Sequence, residues 1–143
     1  MNERRILAVG VFDLFHVGHL RYLEYAKQQG THLTVAITLD ETVSAKKKKQ
    51  TVIAESERLE IIRSVRCVDN AYLQPSLFDY PDDAAIWIAD WGIHHVICGG
   101  AWENSTRWNR LIPAFAKRGI SVSFAPHTEG ISTTQIVASI RDK

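Results

Sequence analysis

The sequence has few cysteines, little net charge and no long apolar run. Its two cysteines, Cys67 and Cys98, stand alone rather than in a Cys-x-x-Cys pair. This disfavours a disulfide framework and a zinc knuckle, and predicts a reduced, cytoplasmic setting. No apolar run approaches the length of a membrane span, and the N-terminus lacks the apolar core of a signal peptide. These absences predict a soluble, unprocessed protein.

The overall charge argues against a partner that is bound by charge alone. Seventeen Lys and Arg residues nearly balance sixteen Asp and Glu residues, which leaves a formal net charge of +1. Binding to nucleic acid or to an anionic membrane favours a strongly basic protein, so neither is expected as a partner. The length of 143 residues and the hydrophobic content of 45% fit one domain over residues 1–143.

Apolar runs and helix-like segments alternate along the chain. The apolar runs predict five strands, at residues 6–9, 33–38, 70–73, 95–98 and 121–125. Apolar residues at helical spacing predict five helices, at residues 20–29, 55–65, 82–91, 107–118 and 133–141. This alternation is typical of parallel βαβ units. The sequence therefore predicts an α/β fold, with an open, parallel, five-stranded sheet and helices on both faces.

Several chemically suggestive segments directly follow predicted strands. They are residues 10–19, a lysine run at 46–49, residues 99–102 and residues 126–134. Ligands of an open parallel sheet bind outside the carboxyl ends of the strands, where the strand order reverses. All four segments, with the lysine run as a loop, are therefore expected on one rim of the sheet.

Two histidines lie where the first strand gives way to a helix. His16 and His19 share a helix face, and Gly18 between them would let a ligand approach closely. At a helix N-terminus the first N–H groups are unpaired and the dipole is positive, which favours a bound phosphate. From spacing alone, a metal site and an ordinary surface pair stay open as alternatives, although neither cysteine is spaced to complete a zinc site.

Two motifs carry a family resemblance. The stretch GVFDLFHVGH at residues 10–19 resembles the H-x-G-H signature of the cytidylyltransferase-like nucleotidyltransferase superfamily, and TEGISTT at residues 128–134 resembles the C-terminal motif of the glycerol-3-phosphate cytidylyltransferases. The resemblance implies a Rossmann-like fold and transfer of CMP from CTP to a phosphorylated alcohol such as glycerol 3-phosphate, with release of pyrophosphate. It also implies Mg²⁺ bound with the triphosphate and a homodimer, with no metal ligand among the side chains.

The resemblance implies a role for each matching residue. The catalytic residues would be His16, His19 and Lys46; nucleotide contacts would come from Val11, Phe12, Trp102, Thr128, Ser132 and Thr133; acceptor contacts would come from Lys48, Arg66, Asp69 and His127. The register within the lysine run is open, because most lysines in such a run are simply solvated. Arg66 and Asp69 could equally form a surface pair, and Trp102 could pack in the core.

Three positions depart from the family pattern. Val11 stands where a threonine is usual, Gly100 lies where an acidic stretch is usual, and His127 replaces an arginine. Arginine offers a permanently charged fork to a phosphate, whereas histidine is only partly protonated near neutrality. Adenylyl transfer to a sugar phosphate or flavin nucleotide, and a nucleotide-binding homologue without turnover, therefore stay open as alternatives.

The other conspicuous side chains are predicted to be structural. Asp13 is expected to tether its loop through hydrogen bonds to the backbone, because a carboxylate would repel phosphates. The remaining residues of this group are Tyr72, Trp87, Trp91 and Phe115, expected in the core, and His32, His94 and His95, expected to have no catalytic role.

Overall fold

Strands and helices alternate along the chain in the computed structural model, which describes residues 2–47, 50–128 and 130–143. The strands are β1 (Arg5–Gly10), β2 (His32–Ile37), β3 (Asn70–Leu73), β4 (His95–Gly99) and β5 (Ser121–Ala125). The helices are α1 (Val17–Gln28), α2 (Asp40–Lys47), α3 (Glu55–Arg63), α4 (Pro81–Asp90), α5 (Thr106–Ala116) and α6 (Thr133–Arg141), with a 3₁₀ turn at Gly100–Trp102.

The strands form one parallel sheet in the order β3-β2-β1-β4-β5. In β1, Ile6 and Ala8 pack on the face covered by α1 and α3, whereas Leu7 and Val9 pack on the face covered by α4 and α5. Because the strands are buried on both faces, they appear in the sequence as continuous apolar runs. The predicted α/β fold, with a five-stranded parallel sheet and helices on both faces, is confirmed.

The strands β1 and β4 separate before either one ends. β1 pairs with β2 along its whole length, up to Gly10 opposite Ile37. Its pairing with β4 stops at Ala8 opposite Ile97, although β4 continues to Gly99. Because the strand order reverses between β1 and β4, the opening lies where sheets of this kind bind their ligands.

Helix α2 forms where the sequence predicts a loop. The backbone N–H of Asp40 donates to Glu55 Oε1 at 2.8 Å, and the backbone N–H of Glu55 donates to Asp40 Oδ2 at 3.0 Å. Glu55, which lies outside the helix, supplies this reciprocal cap. Val43 is the buried apolar residue that anchors the helix to the core. Lys46 therefore lies on a helix, and Lys48 lies outside the described residues.

One predicted core residue lies at the surface. Trp87 and Phe115 are buried as predicted, and Trp91 packs against the same cluster. Tyr72 is 43% exposed, because β3 is an edge strand of the sheet. Within the described ranges, every helix is too short or too polar to cross a membrane.

Gly100 allows the ends of β4 and β5 to approach each other. A Cβ atom at this position would lie 2.4 Å from the carbonyl oxygen of Ala125. That separation is far inside van der Waals contact, so the backbone itself requires glycine at position 100.

We expect Gly100→Ala to lower the free energy of unfolding by about 1–3 kcal/mol, the usual cost of forcing extra atoms into a packed position. The neighbouring Ala101 is exposed, so Ala101→Ser is the matched control and should leave stability unchanged. Urea unfolding measures both variants. Equal stability of Gly100→Ala and the wild type would contradict this reading of the backbone.

Candidate active site

The loop between β1 and α1 is held in an uncommon conformation. Phe12 and Leu14 have positive φ angles of 57° and 50°, which residues with side chains rarely adopt. The carboxylate of Asp13 accepts hydrogen bonds from the backbone N–H groups of Leu14, Val52 and Ile53 at 3.1, 2.8 and 2.9 Å. The prediction that Asp13 tethers this loop is confirmed.

The two histidines cap helix α1. The backbone N–H of Gly18 donates to His16 Nδ1 at 3.0 Å, and the backbone N–H of His16 donates to His19 Nδ1 at 3.2 Å. The two rings stack, with their centroids 3.8 Å apart. Because both Nδ1 atoms accept hydrogen bonds, each neutral ring carries its proton on Nε2. The cap therefore makes both rings Nε2–H donors.

Burial keeps both histidine rings uncharged near neutral pH. The pKa of His19 is lowered to about 4, first by burial and then by the neighbouring His16. Burial also lowers the pKa of His16. A second proton would have to bind Nδ1 and would break a cap bond. The pair therefore offers two neutral donors, and a bound anion would raise the pKa of either ring.

Close packing fixes the histidine rings. His19 packs edge-on against Phe12, with the ring centroids 5.4 Å apart, and Phe12 stacks on Tyr22. A Cβ atom at Gly18 would lie 2.8 Å from His16 Cε1, so Gly18 makes room for that ring. The side chain of Phe12 is 3% exposed, which leaves its backbone as the part able to contact a nucleotide.

The C-terminal motif, residues 128–134, contacts the loop between β1 and α1, residues 11–16, which we call the histidine loop. Thr133 Oγ1 donates to the carbonyl oxygen of Asp13 at 2.8 Å. Ser132 caps α6, where its Oγ accepts a hydrogen bond from the N–H of Gln135 at 3.1 Å. The N-terminus of α6 is thereby joined to the loop that leads into α1. Both helix N-termini favour anions, and none of the residues of α6, all of which the structure describes, is buried.

A cavity of about 350 Å³ adjoins the histidine loop, since Val11 of that loop lines it. Apolar side chains form much of its wall, including Val9, Val43, Phe78, Cys98 and Trp108. A cavity of this size and character, with a few polar groups, is typical of small-molecule sites.

Charged groups and an exposed ring complete the cavity lining. Lys46 and Arg107 both form ion pairs with Asp79, and the hydrogen bond from Lys46 is the main reason that the pKa of Asp79 is lowered. The guanidinium carbon of Arg107 lies 5.5 Å from the centroid of the Trp102 ring, within the range of a cation–π contact. Lys46 and Trp102, two predicted site residues, therefore line the same cavity.

A buried arginine joins the segments around the site. Arg58 is 1% exposed, and it donates to the carbonyl oxygens of Val11, Thr38 and Ile53 at 2.6, 2.9 and 2.9 Å. It also donates to Asp40 Oδ1 at 2.5 Å. These bonds satisfy a charge that would otherwise be costly to bury. They tie the loop after β1 to the end of β2 and to the starts of α2 and α3.

Four residues of this arrangement were not among the predicted site residues: Asp40, Arg58, Asp79 and Arg107. A signal for Arg58 exists, because it precedes the buried Ile62 by four residues on α3 and so shares its core-facing side. Asp79 and Arg107 carry no comparable signal, since their contact joins segments 28 residues apart.

Two predicted acceptor residues lie at the opposite edge of the sheet. Asp69 Oδ2 accepts a hydrogen bond from the N–H of Leu33 at 2.8 Å and pairs with Lys27 Nζ at 2.5 Å, beside the start of β2. Arg66 is exposed in the turn before β3. The six residues of β2, at about 3.3 Å each, separate this edge from the histidines. Within one chain, Arg66 and Asp69 therefore lie apart from the pocket, and their contact with the acceptor stays a prediction.

The remaining predicted residues follow β5. His127 is exposed and Thr128 is half-buried, and the backbone nitrogen of His127 passes close to Gly100. Both lie at the carboxyl edge of the sheet, together with Ser132 and Thr133. Glu129 of the C-terminal motif lies outside the described residues.

Comparison with known proteins relates this fold to one family. A protein-family model described as cytidylyltransferase-like matches residues 7–139 of this chain. Glycerol-3-phosphate cytidylyltransferase of Bacillus subtilis (strain 168) is 35% identical over 137 residues, which are 96% of this chain and 97% of that protein. FAD synthase of Thermococcus onnurineus (strain NA1) is 43% identical over 77 residues, which are 53% of this chain and 51% of that protein. That match thus spans about half the length of the FAD synthase.

A solved structure has the same architecture. The lipopolysaccharide core biosynthesis protein from Thermoplasma volcanium GSS1 is 26% identical and superposes with a TM-score of 0.69. The match covers 89% of this chain and 98% of that chain.

We expect acidification to destabilise the fold between pH 6.5 and pH 4. In the unfolded chain His19 and His95 take up protons below about pH 6.5, whereas the folded pKa of each is about 4 because of burial. The unfolded state therefore binds more protons in this window, and the free energy of unfolding falls as the pH falls.

Urea unfolding across this pH range measures the effect. In His19→Asn the decrease should be smaller, because one titrating group is gone while the Asn oxygen can still accept the cap bond from His16. An equally steep decrease in the variant and the wild type would show that His19 does not titrate as described.

Proposed function

The chain belongs to the cytidylyltransferase-like family of nucleotidyltransferases, and from this premise we propose that it transfers CMP from CTP to a phosphorylated alcohol such as glycerol 3-phosphate, releasing pyrophosphate. The observation that carries the proposal is the joining of the two motifs. The histidine loop and the N-terminus of α6 are linked by the hydrogen bond from Thr133 to Asp13. Two neutral imidazole donors and two helix N-termini thus surround one space suited to a triphosphate.

The proposed reaction is an in-line displacement at the α-phosphorus. An oxygen of the acceptor phosphate forms the new bond, the bond from the α-phosphorus to the bridging oxygen breaks, and pyrophosphate leaves with that electron pair. The Nε2–H groups of His16 and His19 donate to the oxygens on which charge develops. Ser132, Thr133 and Thr128 contact the other phosphates, and the backbones of Val11 and Phe12 hold the nucleotide.

We place the acceptor and the nucleotide base side by side in the cavity beside the histidine loop, which is lined by the ends of β1 and β4. Lys46 lines that cavity and offers a cation to the reacting phosphates, while Trp102 stacks on the base or closes the cavity over it. His127, at the same edge, takes the acceptor side, and Lys48 stays part of this proposal from the sequence alone.

Mg²⁺ belongs to the proposal as a partner of the triphosphate. Because both histidines are neutral donors, they do not offset the triphosphate charge, and a bound divalent cation would do so. Within the described part of the chain, no group of three His, Cys, Asp or Glu side chains could hold a metal ion. Mg²⁺ bound through substrate phosphates and water does not need such a group.

A second candidate function is adenylyl transfer to a flavin nucleotide or sugar phosphate. The 43% identity to a FAD synthase over 77 residues favours it, and so does the apolar wall of the cavity, which suits an acceptor with a flat apolar body. We also propose that the protein is cytoplasmic and forms a homodimer. The exposed apolar side chains of Tyr72, Tyr80 and Ile86 support the homodimer, and sedimentation as a monomer would contradict it.

Pyrophosphate release tests the reaction. We expect release from CTP with glycerol 3-phosphate in the presence of Mg²⁺, and we expect His19→Asn to lower kcat by about 100- to 1000-fold, the usual cost of one lost donor. His32 lies at the opposite edge of the sheet, so His32→Asn is the control. Release from ATP with FMN or a sugar phosphate instead would select the second candidate. No release from any pair would leave a nucleotide-binding homologue without turnover.

Two lysines paired with aspartates allow a matched test of Lys46. Lys46 pairs with Asp79 at the cavity, whereas Lys27 pairs with Asp69 at the amino edge of the sheet. We expect Lys46→Met to lower kcat/KM at least about tenfold, as expected for a lost charge at the reacting phosphates, and Lys27→Met to leave it unchanged. Equal effects of the two substitutions on steady-state turnover would remove Lys46 from the catalytic group.

A further inference from the structure

Tyr22 reaches from α1 into the gap between β1 and β4. Its hydroxyl accepts a hydrogen bond from the backbone N–H of Val9 at 3.0 Å and donates to the carbonyl oxygen of Ile97 at 2.6 Å. The carbonyl oxygen of Val9 also lies 3.0 Å from the hydroxyl. These groups belong to facing strands, at the point where the pairing of Ala8 with Ile97 is the last of the ladder.

The hydroxyl occupies the place of a direct bond between the strands. In a sheet the N–H and carbonyl groups of neighbouring strands bond directly, at about 2.9 Å from N to O. Here the N–H of Val9 and the carbonyl oxygen of Ile97 are joined through the Tyr22 oxygen by two successive bonds of 3.0 and 2.6 Å. An extra atom therefore separates the strands, and beyond it they run to Gly10 and Gly99 without pairing to each other.

We propose that Tyr22 is a positioning residue for the nucleotide, because its hydroxyl holds β1 and β4 apart and so opens the crevice that the nucleotide enters. The inference rests on the proposed nucleotide site, and Tyr22 acts through the strand ends rather than by touching the substrate. Burial raises the pKa of the Tyr22 phenol well above its usual value. The hydroxyl therefore stays protonated and able to donate.

Tyr22→Phe removes the hydroxyl and keeps the ring against Phe12. The N–H of Val9 can then donate directly to the carbonyl oxygen of Ile97. This bond extends the pairing of β1 with β4 and narrows the crevice between them. We expect the Kd for CTP or ATP, whichever the wild type binds more tightly, to rise at least about tenfold in titration calorimetry, because the narrowed crevice admits the nucleotide less well; a tenfold rise corresponds to about 1.4 kcal/mol of binding free energy. Tm should stay within about 4 °C of the wild type.

The control is Tyr25→Phe, one turn further along α1, which should change neither quantity. 4-Aminophenylalanine at position 22 restores a donor and an acceptor at the same place and should restore most of the affinity. An unchanged Kd in folded Y22F would overturn the inference, and so would a Kd that the amine fails to improve. Failure of Y22F to fold would also overturn the inference, because the inference requires β1 and β4 to pair directly and stably once the hydroxyl is removed. A wild type that binds neither triphosphate would refute the proposed function as well.

Discussion

The geometry of the site depends on one buried guanidinium. Arg58 donates to three carbonyl oxygens and one carboxylate that come from three different segments, namely the loop after β1, the connection from β2 to α2 and the start of α3. Each of these segments leaves a strand or enters a helix at the carboxyl edge of the sheet. A buried charge tolerates little change in its partners, so the loop after β1 and the helix carrying Lys46 are fixed relative to each other. The charge that is costly to bury is thus what makes this edge of the sheet rigid.

The histidine pair follows a different principle, in which capping and chemistry use opposite ends of the same ring. Each Nδ1 atom accepts a hydrogen bond from a backbone N–H at the start of α1, that of the N-cap residue His16 or that of Gly18, and this fixes the proton on Nε2. The rings are therefore oriented before any ligand arrives, so little reorganisation is needed during a reaction. The same two hydrogen bonds therefore cap the helix and orient the Nε2–H donors.

The parts of the fold that the sequence predicts are those decided by local pattern. The strands are buried on both faces and appear as apolar runs, and the histidine motif marks a helix start by its own spacing. Helix α2 escapes prediction because its cap is supplied by Glu55 from outside the helix. The resemblance places Arg66 and Asp69 at the acceptor, whereas the topology places them at the amino edge of the sheet, because they precede the parallel strand β3.

Helix α6 supplies one of the two helix N-termini of the proposed phosphate site, and it is the α-helix with the least burial. None of its residues is buried, and Ile140 near its end is 65% exposed. Elements with few buried contacts detach by local fluctuation far more often than the whole domain unfolds. Detachment of α6 would break the surface around Ser132 while the sheet and Arg58 stay in place. In the proposed site, the contacts of Ser132 and Thr133 are therefore the ones that local unfolding would remove first.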